Sequence, residues 1–426
     1  MRFHVLGVGA IGTLVAHHLR ETLDPKHAVV LIHKSAAQRR RAIEKRNTIR
    51  VEANGVSLFS TGYRSEYFQT RPQMRHDRRA RGKRAMAAAQ AEDTGVVEEQ
   101  PDVDDGPAKE IESLIVTTKA YSVLDAIKGL LPRISPKTTI VLLHNGMGVY
   151  EQLLAEVFRN PLQRPSFIVA SNSHGAWTKD YLNCVHAGQG EIVFGIAADA
   201  HAPDFEAGLG DPYPSAKWPP PLDAITTGDD DDAARYLSLR NTVAALSALP
   251  GLKSTWQPIA RVLVALKRKL VVNCAVNPLT AVLGCRNGDL LDSSSGRLLI
   301  RSVCAEAALA FALDEQGTVL PAGHSLGEER REKHRRLDAG FSRVPPALTA
   351  EALEEEVLRV ATATGNNISS MLADVRNGSY TEIDYMNGYL VGLGRANRLN
   401  MSTTTALMHL VKMRSSLPID RLSFKL

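Results

Sequence analysis

Short apolar runs recur through the first half of the chain, each separated from the next by a stretch with helical spacing. Arg2-Phe3-His4-Val5-Leu6 reads as a strand, a helix follows from Ile11 to about Thr22, and Ala28 to Ile32 reads as the next strand. A polar stretch leads to a hairpin through Asn54-Gly55. The pattern resumes with a strand at Ser113 to Thr118, a helix after Lys119, and a strand at Thr139 to Leu143 ending in His144-Asn145-Gly146. Further strands are predicted at Phe167 to Ala170 and Glu191 to Phe194. Apolar runs alternating with helices predict a parallel sheet. After about Trp256 the strand pattern stops, and helical periodicity runs through Ile259 to Leu283, Ser295 to Gln316, Ala350 to Thr362 and Ile383 to Ala396. The chain is therefore expected to be α/β, with a sheet domain over residues 1–255 and an all-α domain over 256–426. A cleft between the two is the expected ligand site.

Two stretches break this rhythm. From about Ser65 to Pro107 a basic block (Arg71, Arg75, Arg78, Arg79, Arg81, Lys83, Arg84) gives way to an alanine run and an acidic block (Glu98, Glu99, Asp102, Asp104, Asp105). The second runs from about Asp199 to Asp232 and is rich in Pro and Asp. The first reads as a solvated insertion, because it holds too few apolar residues to offset the entropy of ordering it, and the second as a surface loop, marked by Pro219-Pro220-Pro221 and Asp229 to Asp232. The basic block is a weak signal for nucleic acid, and pairing with its acidic neighbour is the plainer account.

With 426 residues, 44% hydrophobic and 23% charged, the chain can bury sizeable cores, and it holds no apolar run long enough to span a bilayer. The strand that follows Met1 almost at once suggests no targeting segment and a cytoplasmic protein. Cys184, Cys274, Cys285 and Cys304 are scattered, form no C-x-x-C pair, and read as buried small hydrophobes. His17 and His18 stand without a ligand pattern, so no metal is expected. Trp256, Met371 and Met386 read as packing residues. The net charge of +5 favours anionic ligands.

The first strand runs straight into Gly7-Val8-Gly9-Ala10-Ile11-Gly12 and the glycines open a helix. In that setting the first glycine turns tightly, the second admits a pyrophosphate and the third packs helix on strand, which predicts a Rossmann-type dinucleotide site. An NAD enzyme usually ends its second strand near an acidic residue that accepts bonds from the adenosine ribose. Here the sequence is Ile32-His33-Lys34, with Arg39, Arg40 and Arg41 close behind. Cations there favour a 2′-phosphate, hence NADP(H).

In the first helix of the second half, Lys269, Asn273 and Asn277 are spaced i, i+4, i+8 and share a face among apolar neighbours. Such a polar stripe is tolerable where it lines a ligand-filled cleft. Lys267 and Arg268 point elsewhere and are expected to be solvated. Hydride delivery to a ketone leaves an alkoxide, and an ammonium beside it both stabilises the charge and donates the proton, for which Lys269 is suited. Desolvation would lower its pKa, and a nearby acid such as Glu382 would oppose that. Glu382 could instead be a capping acid at a helix start, with Thr381 as a plausible cap.

Three segments then converge: Leu143-His144-Asn145-Gly146-Met147-Gly148, Lys269 to Thr280, and Asn367-Ile368-Ser369-Ser370-Met371 with Thr381 to Gly388. Together they resemble the ketopantoate reductase family over nearly the whole chain apart from the two insertions. The resemblance implies reduction of 2-dehydropantoate to (R)-pantoate with NADPH, a step toward pantothenate and coenzyme A. It implies that Lys269 is the proton donor, that Asn273, Asn277 and Asn287 contact substrate, and that Ser370, within Asn367 to Ser370, holds the carboxylate. It also implies that Glu382 stands beside cofactor and lysine, that Lys119 and Asn145 lie on the cofactor side, that Ala176 gives a backbone contact to NADP, and that Lys34 stands where bacterial members carry arginine. Lysine keeps the charge and loses the bidentate fork. A paralogue acting on another 2-keto acid and a non-catalytic NADPH-binding relative with a protein or RNA partner are the alternatives; a homodimer is left open.

Overall fold

The computed structural model describes residues 1–68, 110–199, 203–205, 218–226, 233–314 and 345–417. The blocks from Arg71 to Asp105 lie outside them. Eight strands form the main sheet, in the order β5 (Tyr63–Tyr67), β2 (Ala28–His33), β1 (Arg2–Leu6), β6 (Ser113–Val116), β7 (Thr139–Leu142), β8 (Ser166–Asn172), β11 (Ile192–Ile196), β12 (Ser254–Trp256). All neighbours are parallel except β8 and β11. A second sheet joins β4 (Val56–Ser60), β3 (Ile49–Ala53), β10 (Asn183–Gly188) and β9 (Gly175–Asp180). Past β12 the described residues hold helices and no strand.

Alternation within the strands divides the core. Phe3, Val5, Val29, Leu31 and Val141 face α1 (Ala10–Thr22) and α5 (Ala233–Ser247). Leu6, Ile32, Leu114, Ile140 and Leu142 face the opposite way, onto α3 (Ala120–Leu130), α4 (Val149–Glu156) and the start of α6 (Ile259–Leu283). Period-two alternation requires this split when both sheet faces are covered. Val262, Leu263 and Leu266 of α6 belong to that sheet core, while Leu270 to Leu279 belong to a separate helical core. The latter is completed by α7 (Ser294–Leu313), α8 (Ala350–Ala363), α9 (Ser370–Arg376), α10 (Asn387–Ala396) and α11 (Ser402–Ser416). Helix α6 therefore threads both cores, and Lys269 falls at the crossing.

Pro278 lies inside α6. A proline has no N–H for the carbonyl four residues back, and that carbonyl, on Cys274, instead accepts a 3.0 Å bond from the side-chain amide of Asn387 at the start of α10.

The structure departs from the sequence reading in several places. Residues 65–67, read as the start of an insertion, are paired with β2 in β5. Parts of the 199–232 stretch pack on the sheet domain: the Phe205 ring lies 5.4 Å from that of Tyr236, and Trp218 donates a 2.7 Å bond from Nε1 to the carbonyl of Trp256. Strands β9 and β10 leave no mark in the sequence pattern, since β9 is exposed along nearly all its length and has no apolar row. The helix expected from Ile383 to Ala396 is a short 3-10 turn, Ile383–Tyr385, and then α10, with a break at Met386. Lys267 is buried, its Nζ 3.5 Å from Asp314 and 5.1 Å from the centre of the Phe311 ring, and Arg268 pairs with Glu356 at 3.0 Å. A helix shared by two cores leaves few positions to solvent, and long cationic stems bury readily when the head finds a partner. Cys184, Cys274 and Cys304 are buried, and Cys285 is half-buried. No helix among the described residues is long and apolar enough to cross a membrane.

Candidate active site

The glycine turn lies between the ends of β1 and β6. Gly7 has φ +100°, and a Cβ on it would sit 2.7 Å from the amide nitrogen of Thr118. A Cβ on Gly12 would come within 2.0 Å of the Gly7 carbonyl oxygen. The protein's own backbone thus requires both glycines. A Cβ on Gly9 would meet nothing within 4 Å among the described residues. Gly9 is also the N-cap of α1 and supplies no side-chain acceptor to the first amides of that helix. This opening, with positive dipole behind it, fits a diphosphate. The turn is fixed by the Thr117 hydroxyl, which donates to the Gly7 carbonyl at 2.6 Å.

At the far end of β2, Lys34 is exposed just before α2 (Ala36–Glu44), capped by Ser35. Of the arginines that follow, Arg39 donates from Nε to the Ser65 carbonyl at 3.1 Å and Arg41 lies 3.4 Å from Asp180. Ala176 stands half-buried on β9, at the edge of the core face that also receives Val8, Ala10 and Ile11.

Lys269 forms the centre of the seam between the two cores. Its amine donates to Oδ1 of Asn145 at 2.9 Å and to the main-chain carbonyl of Asn172 at 2.6 Å. Burial presses its pKa down to about 8, more strongly than the charge of Glu382 lifts it. Asn145 is held in the turn after β7, where Gly146 has φ +82° and lies so close to the Tyr385 carbonyl that a Cβ would be 2.5 Å from it. The next amide, Met147, donates to that carbonyl at 2.9 Å. Glu382, 3% exposed, accepts at Oε1 from the backbone amide of Ala120 at 2.9 Å, and its Oε2 is 3.4 Å from Nζ of Lys119. The acid thus caps α3 of the sheet domain from the helical side. Lys119 also reaches Asp374 at 2.7 Å. Burial disfavours its charge, yet the two carboxylates outweigh burial and hold its pKa above the ordinary value. Burial raises the Asp374 carboxyl against the pull of Lys119.

Asn273 and Asn277 continue the Lys269 face, and the stripe from Lys269 to Asn277 spans about 12 Å of helix. Asn277 is buried with its amide nitrogen 3.9 Å from the Met386 sulfur, and Asn273 is half-buried. One turn on, the Thr280 hydroxyl lies 2.7 Å from that of Ser369, which caps α9 by accepting from Leu372 N. Ser370 is the exposed first residue of α9. Asn287 donates from Nδ2 to Thr364 at 3.0 Å, its main-chain amide donates to the Asn367 carbonyl, and its Oδ1 is buried with no partner among the described residues. Asn367 itself is exposed. The sequence-derived residues therefore gather into a lysine group at the seam and an asparagine–serine group at the other end of α6. Lys34 and the glycine turn lie along the sheet edge.

The family model described as Ketopantoate reductase PanE/ApbA matches residues 3–199, and its C-terminal counterpart matches residues 262–415. The 2-dehydropantoate 2-reductase of Escherichia coli O157:H7 is 30% identical over 303 residues, 71% of this chain and 74% of the relative. The chain belongs to the ketopantoate reductase family. A probable 2-dehydropantoate 2-reductase of Schizosaccharomyces pombe is 24% identical over 415 residues, 97% of this chain and 96% of the relative. A ketopantoate reductase family structure from Ralstonia eutropha superposes with a TM-score of 0.60 at 17% identity, covering 97% of this chain and 98% of the other. D-mandelate dehydrogenase with NADH and anilino(oxo)acetate gives 0.61 at 15%, with the same coverage. At these identities the superpositions show the shared fold.

Two members of this reductase's seam carried no mark in our sequence reading. Asp374 follows Ser370 by one helical turn and could have been found as its same-face neighbour. Asn172 contributes a main-chain carbonyl, which any residue type would supply.

Proposed function

We propose that this ketopantoate reductase family member reduces 2-dehydropantoate to (R)-pantoate with NADPH. The observation that carries the proposal is the Lys269 amine, held by Asn145 and Asn172 at the seam with a pKa brought toward neutrality by burial. When bound, NADPH supplies the hydride for the keto carbon. Gly7, Val8, Gly9, Ala10, Ile11 and Gly12 would hold its diphosphate, Lys34 its 2′-phosphate, and Lys119, Asn145 and Ala176 its nicotinamide half. Lys269 would donate the proton to the nascent alkoxide oxygen. Asn273, Asn277 and Asn287 offer donors and acceptors to the substrate oxygens, Asn367 and Ser370 face its carboxylate, and Glu382 keeps Lys119 and the start of α3 in register with the lysine. No step calls for a metal. The proposal places the reaction in the cytoplasm and allows two copies of the chain to pair.

The test is NADPH oxidation by the purified protein with 2-dehydropantoate beside other branched 2-keto acids. Absence of turnover with 2-dehydropantoate, together with turnover of another acid, would reassign the substrate; none with any would sink the enzyme reading. Because the proton donor must be charged, kcat for reduction should fall as pH rises past about 8.

Two substitutions probe the flanks. Glu382→Gln keeps an acceptor for the Ala120 amide and removes the charge that raises the pKa of Lys269. It should lower kcat by roughly 10- to 100-fold and move the alkaline limb to lower pH. A limb that moved upward would contradict the assignment. Lys34→Ala should raise KM for NADPH by about tenfold, near 1.4 kcal/mol, with little change for NADH; equal effects on both cofactors would remove Lys34 from the 2′-phosphate.

A further inference from the structure

We propose that His174 is a positioning residue for the Lys269 amine, acting through the carbonyl of Asn172; this rests on the reading of Lys269 as proton donor. The Asn172 carbonyl stands at the last residue of β8, and the other end of its peptide bond, the Ser173 amide, donates to the Glu191 carbonyl at 3.0 Å, next to Gly190. Beyond it, the His174 amide donates to Oδ1 of Asn172 at 3.1 Å, closing a tight local turn. The imidazole then ties this turn to two other segments. Its Nε2 lies 2.9 Å from the Leu252 carbonyl, which can only accept, so Nε2 carries the proton. Nδ1 is therefore the acceptor, and it receives the Gly190 amide at 3.1 Å and lies 2.9 Å from Nε2 of His186. Leu252 ends the 3-10 turn Pro250–Leu252, and that turn is wedged under α1: a Cβ on Gly251 would be 2.4 Å from the His18 ring.

A continuous path thus runs from the helix behind the glycine turn, through the buried His174 ring, to one of the two acceptors of the lysine. Two residues past His174 comes Ala176, paired across β9 and β10 with His186, so the same ring also steadies the strand assigned to the cofactor. An ammonium gains more than a neutral amine from a carbonyl acceptor. Losing the carbonyl's position should therefore make Lys269 give up its proton more readily. The other titratable groups around that amine, Glu382 and His144, stay in place in the variants below.

The test is a carbon-13 NMR titration of ε-labelled lysine in the whole protein without substrate, Lys269 being assigned by its loss in Lys269→Arg. His174→Gln places an amide donor where Nε2 reaches Leu252, whereas His174→Asn cannot reach it. The Gln variant should titrate with the unmodified protein and keep kcat within about threefold. The Asn variant should titrate lower by about half a pH unit or more, with kcat down about tenfold. Equal midpoints in the Asn variant and the unmodified protein would overturn the proposal. So would loss of the cooperative thermal transition in both variants, since the ring would then serve the fold at large. Because the titration needs no turnover, failure of the ketopantoate assignment would leave it readable.

Discussion

Lys269→Ala should reduce kcat for NADPH-dependent ketopantoate reduction by about 10²- to 10⁴-fold, the usual worth of a positioned proton donor that also steadies an alkoxide. NADPH should still bind, because the glycine turn follows β1 and makes none of the contacts of Lys269, whose partners follow β7 and end β8. The folded protein should be no less stable near pH 7. Burial disfavours the charged amine, as its depressed pKa records, so below about pH 8 the native state bears a cost that alanine removes. Lys269→Arg should fail to restore the rate, since a guanidinium holds its proton at any working pH. Steady-state kinetics and thermal melts on the three proteins decide it. Equal kcat for Lys269→Ala and the unmodified protein would remove the lysine from the chemistry.

The second large effect separates two glycines that look alike in the sequence. Gly12→Ala forces a methyl to within 2.0 Å of the Gly7 carbonyl oxygen. Backbone must shift to relieve that contact, at a cost of about 3 kcal/mol in denaturant unfolding. Gly9→Ala meets no atom of the described residues within 4 Å, and Gly9 has φ −84°, which alanine adopts freely. Its stability should hold or rise by about 0.4–1 kcal/mol, while NADPH affinity should fall by roughly a hundredfold because the methyl occupies the space left for the diphosphate. Fluorescence titration with NADPH reads the second effect. Full affinity in Gly9→Ala would mean that the cofactor's phosphates lie elsewhere.

Much of the fold was legible because α/β architecture writes itself in periodicity. β1, β2, β6 and β7 are buried on both faces and appear as apolar runs, and the limits of α6 followed from its spacing. β9 and β10 were hidden because they carry little apolar patterning. Residues 65–67 were hidden because Ser65 and Glu66 look like the polar stretch that follows them. At the site, Lys269, Asn273 and Asn277 were visible through helical phase, and the glycine turn through its position between strand and helix. Asp374, the Asn172 carbonyl and the His174 ring act through contacts between segments far apart in the chain, and no local pattern announces those. The break at Met386 was also unreadable: it comes from the Tyr385 carbonyl turning outward to serve Met147, a demand set by the opposite domain.

Pro278 adds a point about how the distance between lysine and glutamate is kept. The Cys274 carbonyl that it leaves over exists at one level of α6, just past Lys269, and the Asn387 amide seeks it there. Sliding the 382–387 segment by one helical turn, about 5.4 Å, would strand both groups at about 1–3 kcal/mol apiece. The gap in the ladder behaves as a keyhole that accepts one register. Pro278 thereby sets how far Glu382 stands from Lys269 through the amide it frees a place for.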